Sequence, residues 1–448
     1  MQKILLFIAS LFYFNFLFSK NEIKSWQGIH ETPLSRLEQQ FAEPPVEFAN
    51  HVIWGWEGKM DKKTICNDLD SIKKKGFRAV IFEAGYKLPF KYLSEEWFKA
   101  IRTGVVEAKK RDMKVWIIDE GKYPSGFAGG KFSQERPDLR MQALVIGDTI
   151  QIKRGEVMTN HKIAPEIISA VAVSTSGAPN RTVEINNGKI SFNAGLDDWK
   201  ILLVKSDFRT AVTRAVNNPN GGKDATNSLC DYLNPVAVQQ FIDWTHKQYK
   251  KYLGKELGTT VLGFRGDEPD YAHLPWTPSI VQTFKDTKGY DPTPYLASFF
   301  TASPTIQEQR VKADYWDVWS SLFATHFFKL QADWCAANGV AHITHLNKEH
   351  EMPACVKAEG DYFRALSKVQ IPGVDAIWNQ IWPSTLNDFP KLASSVAHVY
   401  GKPRAFSESF AAYHISPTIP QAKFVVDHQI ARGINFFEFM FWLCLLYT

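Results

Sequence analysis

The chain alternates short apolar runs with stretches of helical periodicity. His51-Val52-Ile53-Trp54-Gly55-Trp56 reads as a strand, and Met60 to Lys75 follows as a helix, with Ile65, Leu69 and Ile72 at helical spacing and Gly76 closing it. Phe77 to Glu83 is the next apolar run. Ser94-Glu95-Glu96-Trp97 then opens a helix through Lys110, with the serine as N-cap and acids in the first turn. Lys114 to Glu120 makes a third strand that ends, like the second, on carboxylates. Strand and helix in strict alternation, joined by short connections, predict a parallel sheet with its polar strand ends on one face.

The alternation stops over residues 142–207. Ala143 to Ile146, Thr149 to Ile152, Ala170 to Val173, Thr182 to Ile185 and Ile201 to Val204 are β-like runs with no helix between them, and Asn186-Asn187-Gly188 is a turn signal. This stretch reads as a β-rich insertion after the third strand, and Asn217 to Gly222 as the loop returning from it. Helical periodicity resumes at Pro235 to Lys251, and Thr259 to Phe264 is the fourth strand. A long helix over 307–338 carries Tyr315, Trp316, Trp319, Phe323, Phe327 and Trp334, a stripe expected to pack in the core. Further strands fall at 340–345, 373–377, 404–408 and 432–439, with helices over 394–400 and 420–431. Eight strands with intervening helices predict an α/β fold of the (β/α)8 TIM-like barrel type, with residues 21–141 and 208–448 forming the barrel and 142–207 the insertion. The eighth strand runs into the apolar stretch 440–446 with no covering helix after it, so the C-terminal end of the barrel reads as truncated.

Composition narrows the class. The net charge of +5 comes from 52 basic and 47 acidic residues spread along the chain, without the basic block of a nucleic-acid binder. Residues 1–20 carry an early lysine and then Ile4 to Ile8 and Leu11 to Phe14, the pattern of a secretory signal peptide. Export to the periplasm, cell surface or medium is therefore expected, with no stable membrane insertion after cleavage. The five cysteines are widely spaced and fit neither a disulfide framework nor a zinc motif.

Candidate chemistry collects at strand ends. Gly266-Asp267-Glu268-Pro269 follows the fourth strand, and Pro269 disfavours helical geometry at Glu268. Glu408 ends the seventh, so Glu268 and Glu408 face one another across the barrel mouth as a catalytic acid/base pair for a glycosidic bond. Asp119, Glu120, His345 and Asp375, also at strand ends, are candidates for binding sugar hydroxyls, and Glu83 belongs to the same group. Trp54, Trp56 and Trp378 offer apolar faces to a pyranose ring. No metal ligand set is legible from the spacing.

Several motifs carry a resemblance. Trp54-Gly55-Trp56, the helix opening at Ser94-Glu95-Glu96-Trp97, the loop Asp119-Glu120-Gly121-Lys122-Tyr123-Pro124-Ser125-Gly126-Phe127-Ala128-Gly129-Gly130, Asp267-Glu268-Pro269 and Ser407-Glu408 resemble bacterial exported glycoside hydrolases of the α-L-rhamnosidase-like type, over most of residues 44–440. The resemblance implies inverting cleavage of terminal α-L-rhamnosyl residues from plant polysaccharide, with Glu268 and Glu408 as the two acids. It also implies a calcium ion at the sugar hydroxyls, although the two-carboxylate chemistry itself needs no cofactor. The competing readings are a glycan-binding barrel without turnover and a glycosidase of the same architecture with another sugar specificity.

Overall fold

The computed structural model describes residues 33–443 apart from 122, 211–212, 215–222, 225–227, 272, 386 and 414–416. The expected signal peptide lies outside these residues. Eight parallel strands close into a barrel: β1 (His51–Trp56), β2 (Ala79–Ala84), β3 (Lys114–Ile118), β4 (Val261–Gly266), β5 (Ala341–Thr344), β6 (Ile371–Ala376), β7 (Phe406–Ser409) and β8 (Phe436–Leu443). Each strand pairs with its neighbours in chain order, and β8 returns to β1, with His51 opposite Glu438. This is the (β/α)8 barrel that the alternation predicts.

Period-two alternation decides which side chains fill the barrel and which face its helices. Ile53, Ile81, Trp116, Ile118, Ala341, Ile343, Ile371, Phe406 and Phe436 pack together inside. Gly373 on β6 admits the Phe406 ring, since a Cβ there would lie 2.2 Å from it. Val52, Trp54, Trp56, Val80 and Phe82 point the other way, into a cluster with the helices Lys62–Lys74 and Glu95–Lys110. Capping fixes where those helices begin: Asp61 accepts from the Thr64 N–H at 2.9 Å, and Ser94 from the Trp97 N–H at 3.3 Å.

Two predicted helices are interrupted. Over 307–338 the chain forms Ile306–Leu322 and Lys329–Ala337 joined by a π-helical turn at Phe323–Phe328. The wider turn lets Phe323, Phe327 and Phe328 all be buried together, with Phe323 stacked on Tyr232 at 5.1 Å. The segment after Pro235 breaks at Thr245, whose hydroxyl bonds back to the Phe241 carbonyl at 2.7 Å, separating Pro235–Trp244 from His246–Leu253.

Between β3 and β4 the chain builds antiparallel sheets outside the barrel wall. Two of the predicted runs are one strand, Gln142–Ile152, with a register shift between Ile146 and Asp148. It pairs with Trp199–Phe208, which pairs with Ile167–Ser174 and so with Arg181–Thr182. Val157–Lys162 and Lys189–Asn193 form a separate ribbon, and Asn187 and Gly188 before its second strand take the positive φ expected of the turn. The larger sheet also takes in Pro275–Trp276, which pairs with Gln142 and Ala143 from far outside the 142–207 boundary.

Candidate active site

The carboxyl ends of the barrel strands carry a dense set of ionisable groups. On the inward face, Asp375 of β6 lies opposite Glu408 of β7, and Glu408 opposite Glu438 of β8, so three acids stand in one row on adjacent strands. Arg265, inward-facing on β4 and fully buried, crosses the barrel to meet them. Its guanidinium pairs with Asp267 at 2.7 Å, with Glu438 at 3.3 Å and, through Nη2, with Glu408. A buried arginine with several acid partners is the arrangement that compensates its desolvation.

His345, just past β5, sits at the centre. Its Nδ1 lies 2.8 Å from the Leu346 carbonyl, its Nε2 lies 2.8 Å from Arg265 Nη2, and Glu408 Oε2 is 3.0 Å from the same nitrogen. Burial first, and the Arg265 charge second, push its pKa down to about 3, so the ring is neutral. A neutral ring that donates Nδ1–H to Leu346 keeps Nε2 as an acceptor for Arg265, which fixes the tautomer. Ligand atoms of Asp267, His345 and Glu408 lie within 4.8 Å of one another, as do those of Glu268, His345 and Asp375. Glu268, Asp375 and Glu408 are thus gathered around the one imidazole of His345.

Glu268 has a positive φ of 36°, a strained backbone for a non-glycine residue just past a strand end. Its carboxyl is pushed up to about 7 by burial and then by the Asp267 charge, with a hydrogen bond to Asp375 pulling the other way. Asp375 is raised well above the carboxylate range by burial and by the facing Glu268 and Glu349. The two therefore share a proton at neutral pH.

Four residues expected at the sugar are placed elsewhere. Trp54 and Trp56 are fully buried, because they share a strand face with Val52; Trp56 packs on Phe82 at 4.9 Å and on Trp97 at 5.7 Å. They are core residues behind the barrel wall. Glu120 is also buried, and both its oxygens are taken by the following loop: Oε1 accepts from the N–H groups of Gly121 at 2.6 Å and Gly129 at 2.9 Å, and Oε2 from Ala128. It is a clamp for the glycine-rich loop. Asp119, fully buried, accepts from the Ser125 hydroxyl at 2.6 Å, and Ser125 Oγ in turn accepts from the Asp267 N–H at 2.7 Å. It supports the acid loop from below. Trp378, in contrast, is 64% exposed just beyond β6, the one of the three tryptophans free to meet a ring.

Sequence reading missed Arg265 and Glu438. Both stand inside apolar strand runs at inward positions, and a charged residue there is the signal that a buried ion network exists. A second cluster, His246, Cys335 and His342, is buried between β5 and its helices, away from the mouth.

Comparison with known proteins adds the family. A family model described as alpha-L-rhamnosidase matches residues 159–441. The chain belongs to this glycoside hydrolase family. It is also similar, at 15% identity and a TM-score of 0.68, to the solved rhamnosidase of Novosphingobium sp. PP1Y, over 93% of this chain and 57% of that one. That likeness is one of fold. A protein of Formosa agariphila provisionally named as a beta-glucuronidase is 23% identical over 91% of this chain. The chain spans 38% of the length of that relative.

Proposed function

We propose that this family member cleaves terminal α-L-rhamnosyl residues from plant-type polysaccharide, with inversion at the anomeric carbon. The observation that carries the reading is the contrast between two strand-end carboxyls grouped about His345: Glu268, raised to about 7 and sharing a proton with Asp375, and Glu408, ion-paired with Arg265. Glu268 gives its proton to the glycosidic oxygen as the bond to the anomeric carbon breaks. Glu408 takes a proton from the water that attacks the opposite face of that carbon. Asp375, hydrogen-bonded to Glu268, keeps a proton within the pair for Glu268 to deliver, Arg265 and neutral His345 orient Glu408, and Trp378 gives the sugar an apolar face. Inversion requires carboxyl groups roughly 6.5 to 9.5 Å apart, leaving room for the water between them.

A calcium ion belongs to the same proposal. Among the described residues, Asp270 Oδ1, Glu359 Oε2 and Asp375 Oδ1 are buried without a hydrogen-bond partner, and Glu359 is raised above its usual range by burial, Asp270 and Glu349. An unpaired buried carboxylate oxygen is the kind of ligand a hard cation takes, and of the three Asp375 is the one whose ligand atom lies within 4.8 Å of others, those of Glu268 and His345, so the cation would be held at Asp375. Bound there, it would neutralise the acids and coordinate sugar hydroxyls. Export remains part of the proposal on the strength of residues 1–20; among the described residues no helix is long and apolar enough to cross a membrane.

The test is a panel of aryl glycosides, including α-L-rhamnoside and β-glucuronide, run with and without a calcium chelator. Rhamnoside cleavage is expected, slowed by chelation, with the anomer first seen by NMR inverted. Glu268→Gln and Glu408→Gln should each lower kcat by about two to four orders of magnitude with circular dichroism unchanged. Cleavage of the glucuronide alone would transfer the chain to a different sugar, and a fully active Gln variant would remove that residue from the pair.

A further inference from the structure

We infer that the site continues into a subsite for an acidic sugar on the leaving-group side, an inference that rests on the glycosidase reading above and names the class of polysaccharide it would meet. Beside the acid loop lies a cavity of about 840 Å³, formed by the segments that follow β4 and β5. That is within the range of small-molecule sites and ample for an oligosaccharide segment. Its polar lining is cationic: Lys312, Lys348 and Lys357, with His273, stand around it, and Asp270 is the one carboxylate among its lining residues.

Several helix lysines elsewhere on the surface are neutralised locally. Lys99, Lys329 and Lys423 each pair with an acid one helical turn away. Lys312 has Trp316 one turn on, with its ammonium 5.5 Å from the ring centre, and Phe299 lines the same wall. None of the three cavity lysines forms an ion pair among the described residues. Lys348 and His273 face Asp270, whose carboxyl burial raises and their charges draw back down, which leaves Lys312 and Lys357 as the free positive charge of the cavity among the described residues. Ammonium groups along an aromatic wall match a sugar that carries a negative charge, the ring stacking on Trp316 while the charge meets the lysines.

The position is what links the cavity to catalysis. Asp270 lines it and stands two residues beyond Glu268, whose proton affinity it helps to raise; Lys348 follows Asn347, whose Nδ2 lies 3.4 Å from Asp270 Oδ2. A chain with its terminal sugar at Glu268 and Glu408 therefore has its next residues in reach of the lysines. Carboxylate and sulfate ester share this chemistry: each is a compact oxyanion on a sugar ring.

Calorimetric titration of the full chain separates the cases. The probes are an oligogalacturonide, a sulfated galactan oligosaccharide of the same length and a neutral galactan oligosaccharide. An acidic probe is expected to bind at least about tenfold more tightly than the neutral one, and the preference should fade as salt rises. Lys312→Ala, Lys348→Ala and Lys357→Ala should each weaken acidic binding roughly two- to fivefold, and the triple variant should lose the preference. The stronger of the two acidic probes tells carboxylate from sulfate. Equal binding of acidic and neutral probes, or a preference that survives in the triple variant, would overturn the inference. Hydrolysis of a neutral aryl rhamnoside by the unaltered chain reads the parent proposal separately: turnover without acid preference removes only the subsite, and acid preference without turnover removes only the glycosidase.

Discussion

At the scale of single residues, burial separates structural from chemical roles that the sequence leaves side by side. Trp56 and Trp378 are both aromatic and near strand ends, yet one is enclosed by Phe82 and Trp97 and the other is 64% exposed. Trp56→Ala is expected to cost about 3–5 kcal/mol of stability by opening a cavity, whereas Trp378→Ala should leave the denaturant midpoint unchanged and raise KM. Melting and kinetic runs on the pair decide it, and a loss of stability at Trp378 would reverse the assignment. Charge works by the same logic at Glu268. Its carboxyl titrates at about 7, and as the proposed acid it must be protonated, so kcat/KM should fall as pH rises through that value. The Asp267 charge is the second cause of that elevation, after burial. In Asp267→Asn the descending limb should therefore move to lower pH; a limb that stays put would mean another group sets it.

At the scale of elements, the eight strands were legible because a buried parallel strand is an uninterrupted apolar run, and the helices because caps such as Ser94 announce them. The breaks were not. The π turn at Phe323–Phe328 is invisible to a 3.6-residue period, since its cause is tertiary: three phenylalanines seeking one core. The acids at strand ends were visible for the same reason as the strands, as polar stops to apolar runs. Which of them reach the mouth was not, because the facing of a residue depends on strand register, and Trp54 and Trp56 fall on the helix side of β1. Arg265 hid inside its strand because a lone inward charge needs partners from β7 and β8, more than 140 residues on, before it makes sense.

At the scale of the whole molecule, the barrel carries an unusual load of acids that burial keeps protonated. Burial drives Asp119, Asp231 and Glu438 to about 7 and Glu120 to about 8. In the unfolded chain the same groups release their protons in the ordinary carboxyl range, near pH 4. Between there and about pH 8 the folded state binds more protons than the unfolded one, so stability declines as pH rises through that window and levels off above it. Denaturant midpoints should be higher at pH 5 than at pH 8, and the opposite order would show that cations or water compensate these acids in the folded chain.

The pairing of Pro275–Trp276 with Gln142 and Ala143 joins the outer sheet to the segment that carries Glu268. Tyr315 reinforces it, its hydroxyl bonding the Pro275 carbonyl at 2.6 Å. The acid segment is therefore a span resting on two abutments, the barrel at β4 and the sheet beyond it. Drift in the sheet's own packing, around Trp199 and Phe192, would shift one abutment and with it the reach of the acid, so turnover could be tuned by residues that never approach a sugar.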